Sequence, residues 1–356
     1  MDDEIRARRA GCTDSFLGNG LIRPPDLLAS IPSDVEADVY GEGGAVADLE
    51  REIAALLGKP AAVFLPSGTM AQAATLRVHA DRRGRRTVLW HPFCHLAQHE
   101  GEGYARLHNL VGRPVGDLET LLTLDALAGV AEPVAAVLWE LPQRDLGGQL
   151  PTWDDLTAQV EWARAGGAAV HLDGARLWEA TAGYDRSPAE IAALFDTAYV
   201  SFYKGVGALP GCCVAGPEED IAQVREWRGR MGGTLFAMWP AAASALHLLP
   251  AALAEMPARL AHASAVAAAL DQVPGIRLVP DPPQTPMMHL LFDSTAAQFA
   301  ADAKRITTET GLWLWPTASS TGDPDVVRVE LTVGRATLRH DPGYIAAVLA
   351  GFTSAQ

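Results

Sequence analysis

Cysteine is scarce. There are four in 356 residues, at 12, 94, 212 and 213, with no CxxC pair and no histidines at zinc-finger spacing. That excludes a disulfide-stapled scaffold and a zinc module, and no metal site is expected. Cys212 and Cys213 sit side by side in an apolar run, where thiols act as small buried hydrophobes; a reducing, cytoplasmic setting follows. No window reaches the roughly 18 uncharged apolar residues of a membrane span, and the opening MDDEIRARRAGCTDS lacks the apolar stretch of a signal peptide. Basic charge is also short, with 28 Lys plus Arg against 43 Asp plus Glu and a net charge of −15. Such a surface repels phosphate backbones and anionic lipid, so neither nucleic acid nor membrane is an expected partner. No GxGxxG opens a helix after a strand, which argues against a nicotinamide site, and there is no internal repeat or coiled-coil heptad.

What is present is a hydrophobic fraction of 49% beside 20% charged residues, enough for a large packed core and about two domains. Residues 1–39 are turn-rich and weakly periodic and read as an N-terminal arm. Apolar residues at 46, 49, 53, 56 and 57 then form a helical stripe that stops at Gly58. Short apolar strands follow at 61–65, 87–90, 134–141, 168–173 and 198–202, alternating with helical patterns such as 70–79 and 153–165. Strand and helix in alternation predict an α/β domain over 40–245, its mostly parallel sheet covered by helices. From 246 to 356 the pattern predicts a smaller α/β domain: Ala-rich helices at 241–254 and 257–273, strands at 287–292 and 326–333, and a helix at 296–309.

Ligands of open α/β sheets bind beyond the carboxyl ends of strands, and three such ends carry unusual groups. Pro66-Ser67-Gly68-Thr69 joins a strand to a helix. Small residues and a helix N-terminus suit a phosphate, although Ser67 or Thr69 would equally serve as a helix cap. In His171-Leu172-Asp173-Gly174-Ala175-Arg176, a carboxylate at a buried strand end needs a cation or donors; Arg176 is one candidate for a plain structural pair. Ser201-Phe202-Tyr203-Lys204-Gly205 ends the next strand. A lysine there either snorkels to water or, if buried beside a cation, becomes an amine nucleophile. A phosphate cradle, an acid for a pyridine nitrogen and a nucleophilic lysine are together the attachments that pyridoxal 5′-phosphate requires.

The order of Asp38-Val39-Tyr40-Gly41-Glu42, the Phe64–Ala71 segment, HLDGAR and SFYKG resembles the low-specificity threonine aldolases, members of the β-eliminating lyase group of fold-type-I pyridoxal-phosphate enzymes. The resemblance implies that Lys204 bonds the cofactor aldehyde, that Asp173 partners the pyridine nitrogen, and that Ser67, Gly68 and Thr69 hold the phosphate. It implies that Arg176 meets the ring hydroxyl or the substrate carboxylate. His95 falls where the family stacks a histidine on the pyridine face, with Glu100 at the spacing of a family glutamate; His91 and His99 compete for that role. Arg328 is the match for a late carboxylate-binding arginine, though an ion pair with Glu330 or Asp325 also explains it. Three segments depart from the family pattern, one of them Glu140-Leu141-Pro142 where the family has ENT. The N-terminal stretch reads Leu17–Pro24 in place of SDTVTRP, and Phe236 stands where the family has an arginine of the neighbouring subunit's phosphate site, with Arg228 or Arg230 as substitutes. The implied activity is cleavage of a β-hydroxy-α-amino acid to glycine and an aldehyde, in a homodimer or homotetramer. A β-eliminating lyase, a racemase, an aminotransferase and a non-catalytic cofactor-binding module are the alternatives.

Overall fold

The computed structural model describes residues 3–29 and 31–353; residues 1–2 and 30 of the expected arm and 354–356 of the expected C-terminal domain lie outside them. The chain divides into two compact units. One is Pro25–Asp145 with Leu150–Leu253, the other Met1–Pro24 with Leu146–Gln149 and Ala254–Gln356.

The larger unit is built on seven strands: β1 (Ala61–Leu65), β2 (Thr87–Trp90), β3 (Val111–Pro114), β4 (Ala136–Glu140), β5 (Ala169–Gly174), β6 (Thr197–Ser201) and β7 (Cys212–Gly216). Their order is β1-β7-β6-β5-β4-β2-β3. β3, β2, β4, β5 and β6 run parallel, whereas β7 is antiparallel to both of its neighbours. The carboxyl ends of β1, β2, β4, β5 and β6 therefore share one edge of the sheet. Register fixes the arrangement there: Glu140 pairs with Asp173 and Gly174 with Val200. β5, β6 and β7 are buried along their whole length, as expected of strands covered on both faces. Helices Gly68–Arg83 and Glu218–Arg230 pack against each other and against β1 and β7. Val63, Leu65, Ala71, Ala74, Val214, Ile221 and Val224 close that core.

The strands expected from apolar runs are all present, within a few residues. β7 and β3 were not among them. β7 is the Cys212-Cys213 run itself, buried along its length between β1 and β6. β3 is a short, largely exposed edge strand with a Gly-Arg-Pro sequence, which carries no apolar alternation to read. The expected pair of Ala-rich helices is one continuous helix, Trp239–Leu270, with Pro250 and Pro257 on its exposed side. Each proline removes one backbone hydrogen bond. Burial of Ala252, Met256, Arg259 and Ala263 keeps the helix going through them.

In the smaller unit β8 (Ile276–Val279), β9 (Met287–Asp293), β10 (Ser319–Ser320) and β11 (Val326–Thr332) form an antiparallel sheet ordered β10-β11-β9-β8. Helices Ala296–Thr310 and Pro342–Ala350 belong to the same unit, and Phe299 stacks on Phe352 at 4.6 Å between ring centroids. Phe16 is buried in this core, and residues 14 and 18 bridge to Leu312 and Val333. No helix among the described residues is long and apolar enough to cross a membrane.

Candidate active site

The shared strand edge of the larger unit opens on a cleft of about 210 Å³. Ser67, Gly68, Thr69, His95, Glu100, Asp173 and Lys204 line it together, with Gln72, Glu140, Tyr199 and Tyr203. Seven of the nine expected site residues are thus in one wall-to-wall space. Arg176 stands two residues beyond β5, at the N-terminus of helix Leu177–Tyr184, and its positive charge acts on both Lys204 and Glu140. Arg328 is on β11 of the smaller unit, in register with Leu291.

Ser67 does cap helix Gly68–Arg83: its hydroxyl accepts the Met70 N–H at 3.3 Å. Gly68 and Thr69 occupy the first two helical positions on the cleft wall, where amide donors and partial positive charge collect. A Cβ on Gly68 would overlap the Tyr199 hydroxyl, so glycine lets the helix end close over the buried tyrosine. Capping and anion binding use different atoms of the same turn.

Asp173 is 4% exposed, and its Oδ1 accepts the Ala175 N–H at 3.1 Å. Burial raises its carboxyl, and the leading opposing charge is Lys204 rather than Arg176. Glu140, its register partner, is raised to about 8, by burial first and by Asp173 second. Burial raises both carboxyls, and the Lys204 ammonium opposes it at each. Lys204 is one of three lysines in the chain. Its amine is lowered by burial and by Arg176, against the pull of Asp173, Glu140 and Glu179.

At the other wall His95 Nδ1 lies 3.0 Å from Glu100 Oε1, a carboxylate whose side chain is almost fully buried. An Nδ1–H held by that carboxylate leaves Nε2 as the accepting nitrogen. The rival His91 is buried elsewhere, its Nε2 2.9 Å from the Thr120 carbonyl oxygen, and it lines a separate small cavity. His99 lies beside His95, ring centroids 4.9 Å apart. Arg228 is buried and donates to the Phe64 carbonyl at 2.8 Å, while Arg230 pairs with Glu226 on the surface.

The family model described as Beta-eliminating lyase matches residues 29–293. The chain belongs to this family. A Listeria monocytogenes structure provisionally assigned as an L-allo-threonine aldolase is 36% identical, covers 98% of this chain and 97% of its own, and superposes with a TM-score of 0.91. An Exiguobacterium structure, provisionally an aromatic amino acid beta-eliminating lyase/threonine aldolase, is 34% identical over 98% of this chain and 99% of its own, with a TM-score of 0.92. Low-specificity L-threonine aldolase 1 of Arabidopsis thaliana is 27% identical over 82% of this chain and 85% of its own length.

In this member of the family, Gln72 and Tyr199 were not foreseen as cleft residues, and Glu140 was read only as part of a changed segment. Each had a signal. Gln72 is four residues beyond Gly68 on one helix face, and Glu140 ends a buried strand just as Asp173 does.

Proposed function

We propose that this chain is a pyridoxal-phosphate-dependent aldolase that cleaves the Cα–Cβ bond of a β-hydroxy-α-amino acid, such as threonine or allo-threonine, to glycine and an aldehyde. The observation that carries the reading is one cleft in which a lysine of lowered basicity faces a buried carboxylate, beside a helix N-terminus. The donor set fits the cofactor at three points: an amine for the aldehyde, an acid for the pyridine nitrogen, and amide donors for the phosphate.

Pyridoxal 5′-phosphate supplies an electrophilic carbon for the substrate amine and a protonated ring that takes up the electron pair released at the α-carbon. Lys204, its ammonium destabilised by burial and by Arg176, would hold the cofactor through its aldehyde. Asp173 holds a proton at the ring nitrogen; a buried carboxylate acts strongly there because no water screens it. Ser67, Gly68 and Thr69 hold the phosphate. His95 Nε2 takes the proton from the substrate β-hydroxyl, and Glu100 orients the ring and stabilises the imidazolium that results. Arg176 holds the ring oxygen or the substrate carboxylate.

Support for assembly into a homodimer or homotetramer comes from an exposed apolar patch of Val39, Tyr40, Leu235 and Phe236 on the larger unit, in which Tyr40 meets Phe236 edge-on at 5.4 Å. The activity is tested by incubating the loaded protein with threonine, allo-threonine, serine and alanine. Glycine with acetaldehyde from either threonine supports the aldolase. Pyruvate from serine, or inverted alanine, in its place assigns elimination or racemisation.

A further inference from the structure

Behind the cleft wall runs a buried chain of four polar side chains that the reaction above does not use. His79 Nε2 lies 2.8 Å from Thr197 Oγ1, which lies 2.8 Å from His171 Nδ1, and His171 Nε2 lies 2.6 Å from Gln72 Oε1. All four residues are at most 2% exposed, and of the four Gln72 lines the cleft.

The direction of this chain follows from counting protons. Burial lowers both imidazoles to about 3, so both are neutral at neutral pH and carry one N–H each. Gln72 Oε1 can only accept, so His171 Nε2 carries that ring's proton and donates it. His171 Nδ1 is then bare and accepts from the Thr197 hydroxyl, whose oxygen in turn accepts from His79 Nε2–H. His79 Nδ1, buried with no hydrogen-bond partner among the described residues, is left with a bare lone pair rather than an orphaned N–H.

Gln72 stands four residues after Gly68, on the same helix face, and helical side chains lean toward the helix N-terminus. With Oε1 taken by His171, the amide nitrogen is the end turned to the cleft beside Gly68 and Thr69. We propose that Gln72 is a binding residue whose Nε2–H group donates to the phosphate of the cofactor, and that His171, Thr197 and His79 are positioning residues that fix which end of the amide faces it. The proposal rests on the reading of this cleft as a pyridoxal-phosphate site.

The test compares binding of pyridoxal 5′-phosphate and of pyridoxal, which lacks the phosphate, to cofactor-depleted wild type, Gln72→Glu and Thr197→Val, together with the His171 ring ¹⁵N shifts. Gln72→Glu keeps an acceptor for His171 and puts an oxygen in place of the donor. It should weaken pyridoxal 5′-phosphate about 10- to 100-fold, the worth of a hydrogen bond to a charged group, and leave pyridoxal nearly unchanged. Thr197→Val should let His171 exchange tautomers, visible in its ¹⁵N shifts, with a smaller loss in the same direction; it carries the test if the first variant does not fold. Wild-type affinity in both variants, or equal loss of the two ligands, overturns the proposal while leaving the cofactor site intact. A wild type that binds neither ligand overturns the reading of the cleft, and this proposal with it.

Discussion

Lys204 and Asp173 were legible in the sequence because a charged side chain at the end of a buried strand has no cheap explanation: something must answer the charge. His95 was legible through the family pattern, and its geometry now gives it a specific task. Replacing it in His95→Gln keeps a polar group but removes the base. kcat should fall by about 10²- to 10⁴-fold, the usual worth of general base catalysis, with cofactor affinity little changed; steady-state kinetics beside a cofactor titration checks this. Glu140 escaped notice because its chemistry depends on a register partner 33 positions away, and pairing across a sheet is not written in either strand alone. Its raised carboxyl gives a prediction with a definite sign. The folded value, about 8, lies above the ordinary value of 4.5. Its contribution to stability is therefore complete below pH 4.5 and is lost as pH rises toward 8. His79 and His171 act oppositely: lowered from 6.5 to about 3, they stabilise above pH 6.5 and cease to do so as pH falls. Urea denaturation of cofactor-depleted protein should show Glu140→Gln gaining on wild type steadily from pH 5 to 8, while both proteins weaken below pH 6. A gap that does not grow with pH refutes the assignment.

Among the elements, the ones that placed the site were the easiest to read. β1, β2, β4, β5 and β6 are apolar runs bounded by turn residues, and helix Trp153–Ala165 begins and ends where its pattern says. What escaped was decided by neighbours. β7 belongs to the sheet because β1 and β6 flank it. Helix Trp239–Leu270 is unbroken because its apolar side stays buried past two prolines that would end an isolated helix. Pro257 is exposed within that helix, and proline in a helix interior is unfavourable by about 3 kcal/mol relative to alanine. Pro257→Ala restores one backbone donor, and part of the gain is offset by a more flexible unfolded chain. Thermal melts should show a stabilisation on the order of 1–3 kcal/mol with activity retained; a lower Tm shows that the proline's geometry is itself required there.

For the whole molecule, composition implied a large core and about two domains, and the acidic chain divides into two compact units with two sheets. Assembly was beyond the reach of composition, because an exposed Tyr40 and Phe236 become adjacent only after folding. If that patch joins subunits, Phe236→Glu should lower the sedimentation coefficient toward that of a single chain, and an unchanged coefficient removes the patch from the interface. The central claim is that Lys204 is the covalent anchor of the cofactor. It is tested by adding pyridoxal 5′-phosphate, trapping it with borohydride and mapping the modified peptide by mass spectrometry. The account predicts one modification, on Lys204, absent from Lys204→Ala; label on Lys59 or Lys304, or none at all, contradicts it.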